Sequence, residues 1–131
     1  MDELTFEIPL PPVTKKNHQR IFRTAAGKPF IAPSKEYVEY EETAAYFVPR
    51  IHMHEGPYNV AAEFYMPTKR RVDLVNLLEA LDDILVSSGL LTDDDFHHIG
   101  GHDGSRVLYD KTNPRTRVIV TTMDADELEE V

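Results

Sequence analysis

Cysteine is absent from the 131 residues. Its absence excludes disulfides and thiolate metal sites, and it suits a reducing cytoplasm, the expected compartment. Long apolar runs are missing too: no window approaches the roughly 18 uninterrupted apolar residues that a membrane span requires, so no membrane partner is expected. The first stretch lacks positive charge. Asp2 and Glu3 stand where a secretory leader would carry Lys or Arg, so no export signal is expected. Repeats and internal linkers are lacking as well. The length predicts one compact domain over residues 1–123, followed by an acidic tail at 124–131. Apolar residues make up 41% of the chain, too many for a disordered one.

Net charge is -9, which by itself argues against a generic nucleic-acid binder, because phosphate contacts need cations. The distribution changes that. Asp124, Asp126, Glu127, Glu129 and Glu130 in the tail supply -5 of the -9. Between positions 15 and 35 stand Lys15, Lys16, Arg20, Arg23, Lys28 and Lys35 with no acid among them. A second basic run, Lys69, Arg70 and Arg71, precedes an acid-rich helix. Taken singly, each run also reads as solvated surface.

Leu4, Phe6, Ile8 and Leu10 alternate with Thr5, Glu7 and Pro9, the period of a half-buried strand that Pro11 and Pro12 end. Residues 13–33 read as a long basic excursion, with at most short strands around Ile21 and Phe22 and around Phe30 and Ile31. Ser34 is placed to cap a helix running to about residue 48, with Tyr37, Tyr40, Ala44 and Phe47 as its apolar stripe and Pro49 beyond it. Tyr58, Val60, Ala62, Phe64 and Met66 alternate as a second strand closed by Pro67. Leu74, Leu77, Leu78, Leu81, Ile84 and Leu85 then recur at helical spacing, with Asp73 at the N-cap position and Gly89 just past the end. A last strand is expected at 117–122. The order predicts an α+β domain, with two main helices on a mixed sheet of about four to five strands.

The chemistry-bearing stretch runs from Lys69 to Asn76 and resumes at Asp93, Asp94 and Asp95. The intervening helix spans only about 22–24 Å, so a returning strand can bring the two acid groups together. Gathered carboxylates make an oxygen-rich site suited to Mg²⁺ or Mn²⁺. Asp73 reads equally well as a plain N-cap, and Asp93 to Asp95 as a solvated turn.

The run Arg71-Val72-Asp73-Leu74-Val75-Asn76, followed by Gly89-Leu90-Leu91-Thr92-Asp93-Asp94, resembles the RusA family of Holliday junction resolvases. That family's pattern is an arginine, D-L-D-N, an amphipathic helix and a G-hydrophobic-hydrophobic-x-D-D turn. Pro11-Pro12-Val13-Thr14-Lys15-Lys16-Asn17 is similar to the family's P-x-x-x-N opening, and Ser34-Lys35-Glu36-Tyr37 to the S-K-x-Y helix start of its phage and prophage branch. The stretch from His102 to Val107 and Asn113-Pro114-Arg115 also resembles that branch, so the similarity spreads from about residue 5 to 122. It implies a RusA-like fold and a homodimer that binds four-way and other branched DNA in recombination and repair. It also implies symmetric nicking with Mg²⁺, or Mn²⁺, held by aspartates. Carried over by position, Asp73, Asp93 and Asp94 are the metal ligands. Lys15, Lys16, Asn17, Arg20, Lys69, Arg70 and Arg71 are the expected DNA contacts. Two positions depart from the pattern. Val75 stands where the second motif aspartate belongs, and Glu79 where the family has its catalytic lysine. Either the site is impaired and the chain is a branched-DNA-binding module, or Glu79 restores the oxygen ligand that Val75 removes. Glu79 shares its helical face with Asn76 and Asp83.

Three further readings remain. His98, His102 and an aspartate would be the set for a zinc site, and His97 or His98 could serve as a base or touch phosphate. All of these histidines also read as ordinary surface or interface residues. Tyr37, Tyr40 and Phe47 read as core before base-stacking platforms. The overall charge also fits an acidic interaction protein that ignores DNA.

Overall fold

The structure is a computed structural model that describes residues 3–15, 19–53 and 56–123. Lys16, Asn17 and the acidic tail lie outside the described residues, as does the side chain of Arg20. The elements run β1 (Glu3–Ile8), β2 (Gln19–Arg23), β3 (Pro29–Pro33), α1 (Lys35–Ala45), β4 (Tyr58–Met66), α2 (Leu74–Ser87), β5 (Ile99–Gly101), β6 (Arg106–Tyr109) and β7 (Arg115–Thr122). This is the α+β domain expected, with two helices and a five-stranded mixed sheet. No helix among the described residues is long and apolar enough to cross a membrane.

β7 is the centre of the sheet's antiparallel part. It pairs with β1 on one side and with β4 on the other. The second edge of β4 is shared end to end by two short parallel strands, β5 beside Tyr58 and Asn59, and β6 beside residues 63–66. The antiparallel pair β2 and β3 forms a separate two-stranded sheet. Neither β5, with two glycines in three residues, nor β6, four residues long, carries enough side-chain pattern to announce a strand. Their pairing follows from the backbone groups that β4 offers along its free edge.

The alternation in β4 sorts its residues by face. Tyr58, Val60, Ala62 and Phe64 are buried, and Asn59, Ala61, Glu63 and Tyr65 lie on the other side. β7 does the same with Thr116, Val118 and Val120. Onto this inner face α2 places Leu77, Leu81, Ile84 and Leu85, joined by Ile8 from β1 and by Leu90 and Leu91 beyond the helix. The outer face is held by charge: Arg106 Nη2 lies 2.6 Å from Glu63 Oε2, and Arg115 stacks 3.8 Å from the centre of the Tyr65 ring.

Ser34 caps α1 as expected, its Oγ accepting the Tyr37 N–H at 3.1 Å. The helix stops at Ala45, short of the expected residue 48. Residues 46–48 bond three residues back, Tyr46 to Thr43, Phe47 to Ala44 and Val48 to Ala45, so the last turn tightens into 3₁₀ geometry. Phe47 consequently turns outward and is exposed, whereas Tyr37 is core and Tyr40 packs against it. Gly89 ends α2 with φ +88°, a left-handed conformation that suits glycine at this position.

The two faces of α2 predict opposite outcomes. Leu85 is fully buried, and Leu85→Ala is expected to cost about 2–5 kcal/mol in urea unfolding. Val75, 71% exposed on the same helix, is expected to tolerate alanine within about 0.5 kcal/mol.

Candidate functional site

An α-helix turns about 100° per residue, so Asn76, Glu79 and Asp83 fall on one stripe of α2, away from the leucines that face the sheet. Asp82, one residue earlier, points elsewhere. These two directions organise two separate polar clusters.

The first cluster surrounds Asp83. Lys15 Nζ reaches to 3.4 Å from its Oδ2, bringing the segment after β1 onto α2. From α1, the buried Tyr37 donates its hydroxyl to Glu41 Oε2 at 3.0 Å. Burial, then the charge of Glu41 and its hydrogen bond, then the charge of Asp83 push the Tyr37 hydroxyl far above the ordinary tyrosine range. The turn after α2 brings Asp93 and Asp94 into the same field. Asp93 Oδ1 accepts the Asp94 N–H at 2.7 Å. Asp94 is exposed as a residue, yet loss of water around its carboxyl, followed by the Asp93 carboxyl beside it and the charge of Asp83, holds it above the ordinary aspartate range. Acids crowded in this way favour a cation among them.

Asp73 stands apart from this group. It occupies the N-cap position of α2, but its side chain makes no capping hydrogen bond; instead Asn76 Nδ2 donates to its Oδ2 at 3.4 Å. Ten residues, about 15 Å of helix, separate it from Asp83. Among the described residues no group of three or more His, Asp or Glu side chains is placed to hold one metal ion, so Asp73, Asp93 and Asp94 are not such a group. Glu79 is exposed between Asn76 and Asp83. The donors present suit Mg²⁺ as it is commonly bound, through one or two carboxylates with waters and substrate phosphate completing the shell. Asp94 with Asp93 or Asp83 would supply those carboxylates.

The second cluster is a part-buried carboxylate–imidazole pair. Asp82, 8% exposed, sets both carboxylate oxygens at 3.1 and 2.9 Å from His102 Nε2. The loop carrying His102 is pinned by Asn59, whose side chain donates to the Asp103 carbonyl at 3.0 Å and accepts the Asp103 N–H at 2.8 Å. Two further histidines, His98 and His52, are engaged elsewhere. His98 Nδ1 lies 2.7 Å from Asp95 Oδ1, and its imidazole holds the Asp95 carboxyl below the usual range. The two nitrogens of His52 meet the Gly89 carbonyl at 2.6 Å and the Thr92 hydroxyl at 3.0 Å. His98 and His102 therefore serve different acids and form no zinc set with an aspartate.

Arg106, Arg115, Arg117, Lys15 and Lys35 each face a carboxylate. Lys15, expected to touch phosphate, is thereby bound to the acid cluster. Lys69, Arg70 and Arg71 are exposed just ahead of α2 and meet no carboxylate among the described residues. Sequence reasoning singled out this run and the Asp93–Asp94 pair. It placed Asp83 on the right helical face without a role, and it missed the Asp82–His102 pair, which joins residues 20 apart in sequence.

Hydrogen bonding to Asp82 raises the His102 pKa above its ordinary value, so the pair contributes stability fully below the unfolded value of about 6.5, lost as pH climbs through the higher folded value. Chemical denaturation across that window is expected to show wild type losing stability with rising pH more steeply than His102→Ala. Equal pH slopes for the two proteins would rule out the ion pair as a source of pH-dependent stability. No protein-family model matches the chain, and no curated protein matches it.

Proposed function

We propose that the protein is a metal-dependent endonuclease of branched DNA, active in the cytoplasm as a homodimer. One observation carries this reading. Among the described residues, a single helix has three cations without a carboxylate partner ahead of its N-terminus, and beyond its other end the Asp93–Asp94 pair, whose Asp94 carboxyl feels the charge of Asp83. The cations hold the phosphate backbone, and the carboxylates supply oxygen donors for a divalent ion. The resemblance to RusA resolvases in the stretches at 71–78 and 89–94 supports the same assignment. It also gives the substrate class, four-way junctions and related branches.

The chain's own residues then take distinct roles. Asp94, whose carboxyl is held above the aspartate range, is the group most relieved by a cation and is the principal ligand, with Asp93 beside it. Asp83 completes the negative field and is kept in place by Lys15. Glu79 lies on the same stripe, one turn away. Asp73 is at the opposite end of α2, beside Arg71, and serves the DNA-facing rim more than the ion. A bound divalent cation would supply charge neutralisation at the scissile phosphate and lower the pKa of a coordinated water.

A second reading has a specific observation behind it. No three-acid metal group is found among the described residues, and Val75, 71% exposed, places an apolar side chain where the resemblance calls for an aspartate. These favour a module that binds branched DNA without cutting it.

A labelled four-way junction with Mg²⁺ or Mn²⁺ separates the two. Cleavage by wild type that falls more than about 100-fold in Asp94→Asn, beyond the usual effect of a residue one shell from a metal, is the expected result. Binding without nicking under either metal would leave the module reading. Asp94→Asn is also expected to raise the urea midpoint at pH 7, because it removes a charge that burial and its acidic neighbours disfavour. Alanine at Lys69, Arg70 and Arg71 together is expected to flatten the salt dependence of binding, by roughly 0.9 log units per tenfold salt for each phosphate left unneutralised.

A further inference from the structure

β6 runs parallel to β4 in a register that pairs Phe64 with Val107 and Met66 with Tyr109. Side chains two apart on a strand share a face, so Val107 and Tyr109 continue the inner apolar face of the sheet. At this edge the face extends past the start of α2, and the described residues leave it partly uncovered. Val107 and Tyr109 are 38% and 47% exposed. The loop from β4 to α2 borders the uncovered area and brings Lys69, Arg70 and Arg71 to it. Together they line an open cleft of about 390 Å³, with Met66 in its floor. The volume lies within the usual range for small-ligand sites, about 300–1,000 Å³. Lys69 Nζ sits 5.1 Å from the centre of the Tyr109 ring.

This combination is chemically specific. An acidic protein that neutralises Lys15, Arg106, Arg115 and Arg117 with carboxylates leaves three consecutive cations without one among the described residues, beside an exposed aromatic ring and an apolar floor. The cations call for an anion, and the ring and floor call for a flat apolar body. A base-paired duplex offers phosphate here but keeps its bases stacked inside. A nucleotide whose base is unstacked offers both parts at once, phosphate to the cations and a π-face to Tyr109.

We infer that this cleft takes one unstacked nucleotide of DNA, with its base against Tyr109 and Val107 and its phosphates on Lys69, Arg70 and Arg71. The inference rests on the DNA-binding reading above and deepens it. It names single-stranded nucleotides, such as those at a branch point, as what this end of α2 recognises. Lys69 reaches the cleft on a flexible stem, so it can leave the ring face for a phosphate as a base arrives.

The test uses the full chain and two fluorescein-labelled dodecamers, one of thymidine and one with abasic sugars that keep every phosphate, measured by anisotropy at low salt. The thymidine oligomer is expected to bind at least about fivefold more tightly, the low end for one base stacked on an aromatic ring. Tyr109→Ala, at an exposed position, is expected to bring the thymidine oligomer down to the abasic level and leave the abasic affinity within about twofold, and Tyr109→Phe to restore the preference. Replacing Lys69, Arg70 and Arg71 with alanine should weaken both oligomers alike. Equal binding of the two oligomers by wild type overturns the inference, and so does an equal loss for both in Tyr109→Ala. If neither oligomer binds while a four-way junction does, the nucleotide site falls and the branched-DNA reading stands. If no DNA binds, both fall.

Discussion

The burial of the apolar stripe of α2 against β4 and β7 sets the position of both acid clusters and of the basic run. Leu77, Leu81, Ile84 and Leu85 meet Val60, Ala62, Phe64, Val118 and Val120 in one core. Each large side chain buried there contributes about 1.5–3 kcal/mol, so the helix has essentially one rotation in which all four are satisfied. That rotation assigns the acids. Asp82 is turned inward, where only a partner such as His102 makes its burial tolerable. Asp83, 100° further round, faces Lys15, and its charge is felt at Asp94 in the turn beyond the helix.

Local charge explains how a protein of net charge -9 still presents a cationic surface. Exposed charges are screened beyond about 8–10 Å at ordinary salt, so distant acids count for little at a given surface. What counts is the immediate neighbourhood. The outer face of the sheet is neutralised pair by pair, with Glu63 serving both Arg106 and Arg117. The loop ahead of α2 has no such arrangement among the described residues. Its three cations stand beside an apolar edge formed where the sheet outruns the helix.

The helix α2 thereby links two unlike surfaces about 15 Å apart, a cationic and aromatic one near Asp73 and an anionic one near Asp83. A single rigid element fixes the spacing between the surface proposed to hold nucleic acid and the carboxylates proposed to serve the cut. Val75 contributes little to the packing that sets this spacing, since its side chain is largely in solvent.

The elements with a regular apolar period were legible from sequence, because burial on one face leaves a period of two in β1 and β4 and of 3.6 in α2. The cap at Ser34 and the stop at Gly89 were legible for the same local reason: each is a backbone requirement met by one residue type. The short strands β5 and β6 were not, since they exist only because β4 has a free edge to pair with. The basic run and the Asp93–Asp94 pair could be read as sequence, and the similarity in the stretches at 71–78 and 89–94 suggested that Asp73 would join them. Only the tertiary structure decided which acids meet. It tied Asp83 to Lys15, left Asp94 within reach of the Asp83 charge, separated Asp73 from Asp83 by about three turns of helix, and paired Asp82 with His102. Spacing along a chain fixes the face of a helix on which a residue lies. What stands opposite that face depends on how the rest of the chain returns, and that is set by the core.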